Sequence, residues 1–281
     1  MAQHNIVHLY GAVQDPISIA RNDQDSSIID IVAFYMVLAS IMRNSTDSRE
    51  RSAVQLDQAQ IVSKNADMTK RLAELRPNDV ILLKGVVSTH DIPRYTVCKN
   101  CGKTYVINSI RNGDTGDLSN TNSMVTYIVP IDFEIVHRFD TEKEAIHEVM
   151  QHVSISNEVQ LVGRLCADPK TYENGKSTAY QLGIDRHFFI AEDDPDISFD
   201  YPYIRSYDKQ GISDMESLKK GSLVLVDGAL RLRWFNRRVT CPDCGTEKTL
   251  EDHVLEVVPH YVEYLADLKP ATRNNEKEPE I

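Results

Sequence analysis

The stretch SLVLVDGALRLRWFNRRVTCPDCG, residues 222–245, contains the pattern that decides the fold. Its first nine residues have a near copy in DVILLKGVV at 79–87, and the two segments align Gly228 with Gly85. Alternating, β-branched runs of this kind predict strands. A CxxCG motif begins thirteen residues after each glycine, so strand and motif recur together at an offset of 143 positions.

Further matches extend this repeat over about sixty residues without a gap. The same offset aligns Arg43 with Arg186, Ile61 with Ile204, Ser63 with Ser206 and Leu75 with Leu218. Earlier in the chain, NIVHLYGAVQDP from Asn5 parallels NEVQLVGRLCADP from Asn157 with a shifted register. These landmarks indicate a duplication. The alternative is a pair of unrelated β domains that share a CxxC motif.

Each copy has the pattern of a small β domain. Several alternating runs predict strands, and MTKRLAELR (68–76) and GISDMESLK (211–219) predict a short helix or turn. Five strands and a short helix in about 110 residues are typical of the OB-fold, a small closed barrel. The sequence therefore predicts an all-β chain of two tandem OB-fold β-barrels. The predicted parts are a first domain at 1–139, a helical linker at 140–154, a second domain at 155–266 and a disordered tail at 267–281.

Composition and charge exclude several classes of protein. With 41% hydrophobic and 26% charged residues, the 281-residue chain is typical of a soluble globular protein. It has neither a membrane-length apolar run nor a signal-peptide pattern at its start, so we expect a cytoplasmic, nucleoid-associated protein without membrane contact. Nucleotide-binding and hydrolase motifs are absent, which predicts that it is not an enzyme. The net charge of −11 argues against nucleic acid, but local charge decides such contacts.

The second copy contains a series of motifs in a recognisable order. They are NEVQLVGRL (157–165), Asp168-Pro169, Gly175-Lys176, Ile184-Asp185-Arg186, YIRSYDKQ (203–210) and LKKGSLVLVDGALRLR (218–233). In these motifs, residues 155 to about 265 resemble the bacterial single-stranded DNA-binding proteins of the OB-fold type. The first copy resembles that family only through the second. The family pattern has no CxxC, and this chain ends in Glu-Pro-Glu-Ile without the family's terminal aromatic residue.

The resemblance implies a function and partners. It implies a protein that coats or protects single-stranded DNA in replication, recombination or transfer, mainly through the second domain. It also implies a homodimer that displays four OB-folds, and replication or recombination proteins as further partners. The alternatives are an OB-fold scaffold for protein interactions that has lost strand binding, and an RNA-binding protein.

The segment RLRWFNRR, residues 231–238, contains the main candidate nucleic-acid contacts. Single-strand binding needs aromatic rings on which bases stack and positive charge that follows the phosphates. Tyr201 and Tyr207 lie where the family carries stacking aromatics. Neighbouring strand residues point to opposite faces, so at most one of Trp234 and Phe235 is expected to face a ligand. The predicted contact residues are Arg164, Arg186, Tyr201, Tyr207, Arg231, Arg233, Trp234, Phe235, Arg237 and Arg238.

Two observations qualify this set. In one alternative, the Trp234 and Phe235 rings belong partly to the core, and the arginines pair with carboxylates of this acidic chain. The first copy lacks the aromatic residues: the offset places Gln58, Lys64, Asp91 and Ile92 opposite Tyr201, Tyr207, Trp234 and Phe235. We therefore expect the first domain to be mainly structural.

The two CxxCG pairs predict a metal site. Each pair forms a turn that directs two sulfurs at one ion, and four thiolates are a usual ligand set for structural zinc. The simplest hypothesis is one Zn2+ held by Cys98, Cys101, Cys241 and Cys244 across both domains. The alternatives are local completion of the second pair by His253, completion across a homo-oligomer, and a redox role of the CxxC pairs.

Overall fold

The structure is a computed structural model that describes residues 5–42, 53–91, 95–106, 124–172, 175–186 and 199–270. Three sequence predictions therefore fall outside the described residues. They concern Arg43, Ile92 and the tail from 271 to 281.

The first half of the chain forms a closed circuit of five strands. Its elements are β1 (Asn5–Val13), β2 (Ser18–Arg21), β3 (Ile29–Met42), β4 (Ala53–Ser63), α1 (Ala66–Leu72), β5 (Asp79–Asp91), β6 (Tyr95–Val97), β7 (Thr104–Val106) and β8 (Met124–Arg138). The circuit runs β1–β3–β4–β8–β5 and back to β1, and only the β4–β8 pair is parallel. Strands β6 and β7 pair separately as a hairpin between β5 and β8.

The second half repeats this circuit. Helices α2 (Glu142–Gln151) and α3 (Val153–Ser156) come between the halves. The elements that follow are β9 (Asn157–Leu165), β10 (Lys170–Tyr172), β11 (Ser177–Asp185), β12 (Phe199–Asp200), β13 (Tyr203–Tyr207), α4 (Asp208–Ser217), β14 (Leu223–Thr240) and β15 (Glu247–Ala266). The order is β9–β11–β13–β15–β14 and back to β9, with β13–β15 parallel. The predicted all-β class with closed five-stranded OB-type barrels is confirmed.

The glycine of the repeated strand is required by close packing. A side chain at Gly85 would place its Cβ 2.7 Å from the Val129 carbonyl oxygen, and one at Gly228 would meet the Val258 oxygen at 2.4 Å. The strand pairing shifts register at both glycines, which marks a bulge in each barrel. The glycine is therefore repeated in the sequence because the backbone of the next strand approaches too closely for any side chain.

A buried asparagine makes the same pair of hydrogen bonds at equivalent places in the two halves. The Asn5 side chain donates to the Val87 carbonyl oxygen and accepts from the Val87 N–H, at 2.8 and 2.9 Å. The Asn157 side chain makes the same two bonds to Leu230, both at 2.8 Å. Buried backbone N–H and C=O groups need hydrogen-bond partners. Each asparagine side chain supplies both partners at a point where the neighbouring strand does not.

The halves are joined by a pseudo-twofold interface. Strands β1 and β9 pair antiparallel about Val7 and Val159. The Asp200 carboxylate accepts from the Thr89 N–H at 2.7 Å, and Asp57 accepts from the backbone of Leu232. Asp57 and Asp200 are related by the offset of 143, as are residues 89 and 232. Reciprocal contacts of this kind define an isologous interface.

The end of the second barrel continues beyond the predicted boundary at 266. The Lys269 N–H donates to the Ser217 carbonyl oxygen at 2.8 Å, and the Ser222 hydroxyl donates to the Asp267 carbonyl oxygen at 2.8 Å. Leu268 packs against the core. Residues 267–269 therefore belong to the folded domain. Within the described residues, no helix has the length and apolar character that a membrane crossing needs.

Candidate nucleic-acid interface and thiolate cluster

Strands β14 and β15 extend beyond the second barrel as a two-stranded arm. Strand β14 pairs with β9 only as far as Gly228, whereas its pairing with β15 continues to Thr240 opposite Glu247. We call residues 233–254 the second-half arm. The arm carries most of RLRWFNRR and ends in the second CxxCG turn, so the candidate contacts and the cysteines belong to one element.

One face of β14 aligns arginines with aromatic rings. The Arg231 guanidinium lies 5.8 Å from the ring centre of Tyr207, and that of Arg233 lies 5.2 Å from the ring centre of Phe235. Cation–π contacts of this kind hold the planar groups beside each other. These four residues, Tyr207, Arg231, Arg233 and Phe235, are called the arginine–aromatic row below. All four were predicted from the sequence, and the structure brings them together.

A buried carboxylate anchors the row. Glu256 is 2% exposed and accepts from the Nε atoms of Arg205 and Arg233, both at 3.1 Å. Arg205 also stacks over the Tyr172 ring at 5.1 Å. Arg205, Glu256 and Tyr172 were missed at the sequence level. The signal for Arg205 was the alternation of Tyr203, Arg205 and Tyr207, which places all three on one strand face.

Arg231 also links the row to the first half. Its guanidinium donates to the Gln55 side-chain oxygen at 2.8 Å, and the Asp57 carboxyl lies close enough to interact with its charge. Burial nevertheless raises the pKa of Asp57 above its usual value. The base of the row therefore lies at the seam between the two barrels.

Arg237 does not belong to an accessible surface. Its side chain is 4% exposed, and its guanidinium pairs with Asp252, which is 5% exposed, at 2.6 Å. Separating a buried ion pair would leave an unpaired charge in the interior, which is strongly unfavourable in free energy. The prediction that Arg237 contacts nucleic acid is corrected: the residue stabilises the arm.

Arg186 is also buried. Its side chain and that of Asp200 are 0% exposed and pair at 2.8 Å. The same guanidinium donates to the Thr89 carbonyl oxygen at 2.8 Å. It therefore joins the second barrel to the first and is out of reach of a strand, so the prediction for Arg186 is corrected.

Two further predicted residues lie away from the row. Arg164 faces Leu223 at the start of β14, eight residues and about 26 Å before Arg231 at ~3.3 Å per strand residue. Its guanidinium pairs with Asp267 at 2.7 Å. Tyr201 is half-buried at the seam, where its N–H donates to the Thr89 hydroxyl at 2.8 Å. Arg164 therefore lies apart from the row, and Tyr201 makes a contact across the seam.

Trp234 and Arg238 project from the opposite face of the arm. Trp234 is 56% exposed, and its ring lies 4.8 Å from that of His253 on the neighbouring strand. Arg238 is exposed. The alternation rule is therefore borne out, since Trp234 and Phe235 point to different sides. The arm offers charge and aromatic surface on both faces.

The corresponding face of the first half has a different character. The offset places Ser88 and His90 at the positions of Arg231 and Arg233. The His90 ring stacks on Tyr127 at 5.4 Å. Tyr127 is buried, so this pair forms a packed surface. The described part of the first half therefore has no counterpart of the arginine–aromatic row.

The four predicted cysteines meet where the end of the second-half arm approaches the hairpin of β6 and β7, residues 95–106, which we call the first-half arm. All four sulfurs lie within 4.8 Å of one another, with Cys98 to Cys244 at 3.5 Å and Cys101 to Cys241 at 3.7 Å. This is the first of the sequence hypotheses, in which each half supplies two ligands. The alternative that used His253 is not needed to complete the set, and its ring lies against Trp234.

The two CxxCG turns have the same backbone. In each, the glycine N–H donates to the carbonyl oxygen of the first cysteine, at 2.9 Å for Gly102 and 3.0 Å for Gly245. Both glycines have positive φ, 71° and 68°. Glycine adopts that conformation without strain. The repeat therefore specifies the turn geometry twice.

The cluster fits a tetrahedral metal ion. Sulfurs at ~2.3 Å from a zinc ion lie about 3.8 Å apart in a tetrahedron, close to the two separations given above. Hydrogen bonds from Thr246 lower the pKa of the Cys244 thiol to about 6, and backbone N–H groups lower the pKa of Cys98. Both shifts favour the thiolate form that metals bind, whereas burial and the neighbouring sulfurs raise the pKa of Cys101 to about 12.

Comparisons with known proteins agree with this architecture. The model of the single-strand binding protein family matches residues 156–253. A deletion mutant of the single-stranded DNA binding protein from Thermus aquaticus superposes with a TM-score of 0.53 at 14% identity, covering 96% of this chain and 98% of that chain. The wild-type protein from the same organism gives 0.50 at 14% identity, over 99% and 100%. A search with the sequence among curated proteins found no match.

The fold and the site together define an OB-fold protein with an arginine- and aromatic-rich strand face. The family match is more specific, since the model of the single-strand binding protein family matches residues 156–253 of the second half. The resemblance inferred from the sequence is confirmed there.

Proposed function

We propose that this chain is a non-enzymatic protein that binds single-stranded DNA mainly through its second half. The observation that carries the proposal is the arginine–aromatic row, in which Arg231 and Arg233 lie over aromatic rings on one strand face. The family match of residues 156–253 supports the same ligand.

The chemistry of the row suits a strand without sequence preference. Each base has a face that stacks on an aromatic ring, and each stacked base contributes roughly 1–3 kcal/mol. Guanidinium groups bind phosphate in a bidentate manner and also stack on bases. Glu256 accepts from the Nε atom of Arg233, and the outer nitrogens of that residue would bind the phosphate. Trp234 and Arg238 extend the surface along the arm.

The cluster of cysteines is proposed to hold one structural zinc ion. The ligands would be Cys98, Cys101, Cys241 and Cys244, whose sulfur separations fit a tetrahedral site. A closed set of four thiolates leaves no position for a substrate, so the ion would stabilise structure.

The wider role proposed is to coat or protect single strands during replication, recombination or transfer. In this view the protein works in the cytoplasm at the nucleoid, alongside replication or recombination proteins. We also propose that two chains assemble into a homodimer with four barrels.

Within one chain, the β1–β9 pairing already joins two barrels about a pseudo-twofold axis, so the dimer would need a different surface. Sedimentation at increasing protein concentration tests the dimer.

The binding proposal is tested by fluorescence polarisation of labelled oligo-dT at two salt concentrations. Wild type is compared with the double variant Trp234→Ala/Arg233→Ala. We expect binding that weakens with salt, because counterions are released from the phosphates, and that is lost in the variant. Equal binding of oligo-rU would assign RNA as a ligand. Absence of binding by the folded wild type would favour the protein-scaffold alternative.

A further inference from the structure

The surface of the second-half arm and the thiolate cluster share one continuous strand. Strand β14 begins at Leu223 inside the barrel and ends at Thr240, directly before Cys241. Trp234 and Arg238 lie between these two points, beyond the last pairing with β9. The position of both side chains therefore depends on how the end of the arm is held.

Besides the cluster, two exposed polar contacts join the arm ends among the described residues. Lys103 and Asp243 form an ion pair at 2.8 Å, with side chains 63% and 41% exposed. The Lys248 ammonium donates to the Thr96 hydroxyl at 3.2 Å. Exposed pairs of this kind contribute little, because solvent screens them and the long side chains lose freedom. A metal bound by four thiolates contributes to folding directly.

We propose that the metal ion at this cluster acts as a clamp that sets the affinity of the second half for single-stranded DNA. The proposal rests on the proposed strand binding of that half. Each half supplies two sulfurs, so the ion is held only when both arms are in place. Metal binding orders the arm before a strand arrives. Strand binding then no longer has to supply the free energy that orders the arm. The metal ion and the DNA strand therefore strengthen each other's binding.

The test uses the double variant Cys98→Ser/Cys101→Ser. These changes remove two ligands from the first half and leave every residue of the second-half arm intact. Cys166→Ser is the matched control, because Cys166 is half-buried and lies outside the cluster. Zinc content, oligo-dT affinity and hydrogen exchange of residues 233–254 are measured on each protein.

We expect one zinc per chain in wild type and in the control, and none in the double variant. The double variant is expected to bind oligo-dT about tenfold more weakly and to exchange faster in the arm. Wild type stripped of zinc with a chelator should show the same loss, and added Zn2+ should restore it. This second route keeps the test valid if the variant folds poorly.

Linkage provides an independent measurement. If zinc tightens oligo-dT binding tenfold, saturating oligo-dT must tighten zinc binding by the same factor. Competition with a chromogenic chelator measures this directly. Equal affinity for oligo-dT with and without zinc would overturn the clamp and leave the proposed function standing. Failure of zinc-loaded wild type to bind oligo-dT would overturn both.

Discussion

The two halves of this chain share a buried framework and differ at the surface. Both have the same five-strand circuit, a glycine at the same bulge and an asparagine that pairs with the same strand edge. The second half adds Arg231 and Arg233 where the first has Ser88 and His90. The comparison teaches that the fold depends on a few buried contacts, whereas the exposed strand face is free to carry a different function.

The contacts between the halves include two equivalent carboxylates. Asp57 and Asp200 occupy equivalent positions. Among the described residues, Asp200 pairs with Arg186 and Asp57 interacts with the charge of Arg231, whereas Arg43, the counterpart of Arg186, lies outside them. Each position therefore offers a probe of how far the two halves have diverged.

The largest effect is expected from Asp200→Ala. It would leave the buried Arg186 guanidinium without its carboxylate, and breaking such a pair costs about 3–5 kcal/mol of unfolding free energy. Asp57→Ala removes hydrogen bonds to a buried carboxylate, with an expected loss of about 1–3 kcal/mol. Urea unfolding followed by tryptophan fluorescence measures both. A larger loss for Asp57→Ala would contradict the ranking.

The next largest effect concerns oligo-dT affinity and compares the arginine–aromatic row with the first half. Arg231→Ala/Arg233→Ala is expected to weaken oligo-dT binding about 100-fold, because two charge-assisted contacts of ~1.5 kcal/mol each are lost. The salt dependence should fall by about 1.4 in the slope of log K, at ~0.7 per phosphate contact. Arg71→Ala is the matched control, since Arg71 lies over the Phe133 ring at 4.8 Å in the first half. Equal losses in the two proteins would show that both halves bind the strand.

A smaller effect distinguishes the two arms. Trp234→Ala is expected to weaken oligo-dT binding about tenfold, since one stacked base contributes roughly 1–3 kcal/mol. Tyr95 is the exposed ring of the first-half arm, at 62% exposure, and Tyr95→Ala should change affinity less than about threefold, well below that stacking contribution. Polarisation with the same oligonucleotide compares them. The reverse order would move the binding surface to the first half.

The smallest effect is expected for Arg164→Ala. Its pair with Asp267 is exposed on both sides and contributes about 0.2–1 kcal/mol to stability. Oligo-dT affinity should change less than about twofold, because the row lies about 26 Å away along β14. A loss comparable to that of the row variant would restore Arg164 to the binding surface.

Much of the fold was predictable because local patterns specified it. The alternating runs identified the barrel strands, and the repeat at an offset of 143 placed equivalent elements in both halves. The disordered tail was predicted to begin at 267, although residues 267–269 are packed. Their partners, Ser217 and Ser222, lie about fifty residues earlier, and no local pattern shows such contacts.

The sequence by itself determined the residue types of the site, the alternation that separates Trp234 from Phe235, and the two CxxCG turns. Only the tertiary structure decided which arginines are accessible. Arg186 and Arg237 have the same charge as Arg233, but each is buried against a carboxylate, Asp200 or Asp252. The physical reason is that burial and charge pairing depend on residues brought together from distant strands. The same folding joins four sulfurs from two halves into one cluster.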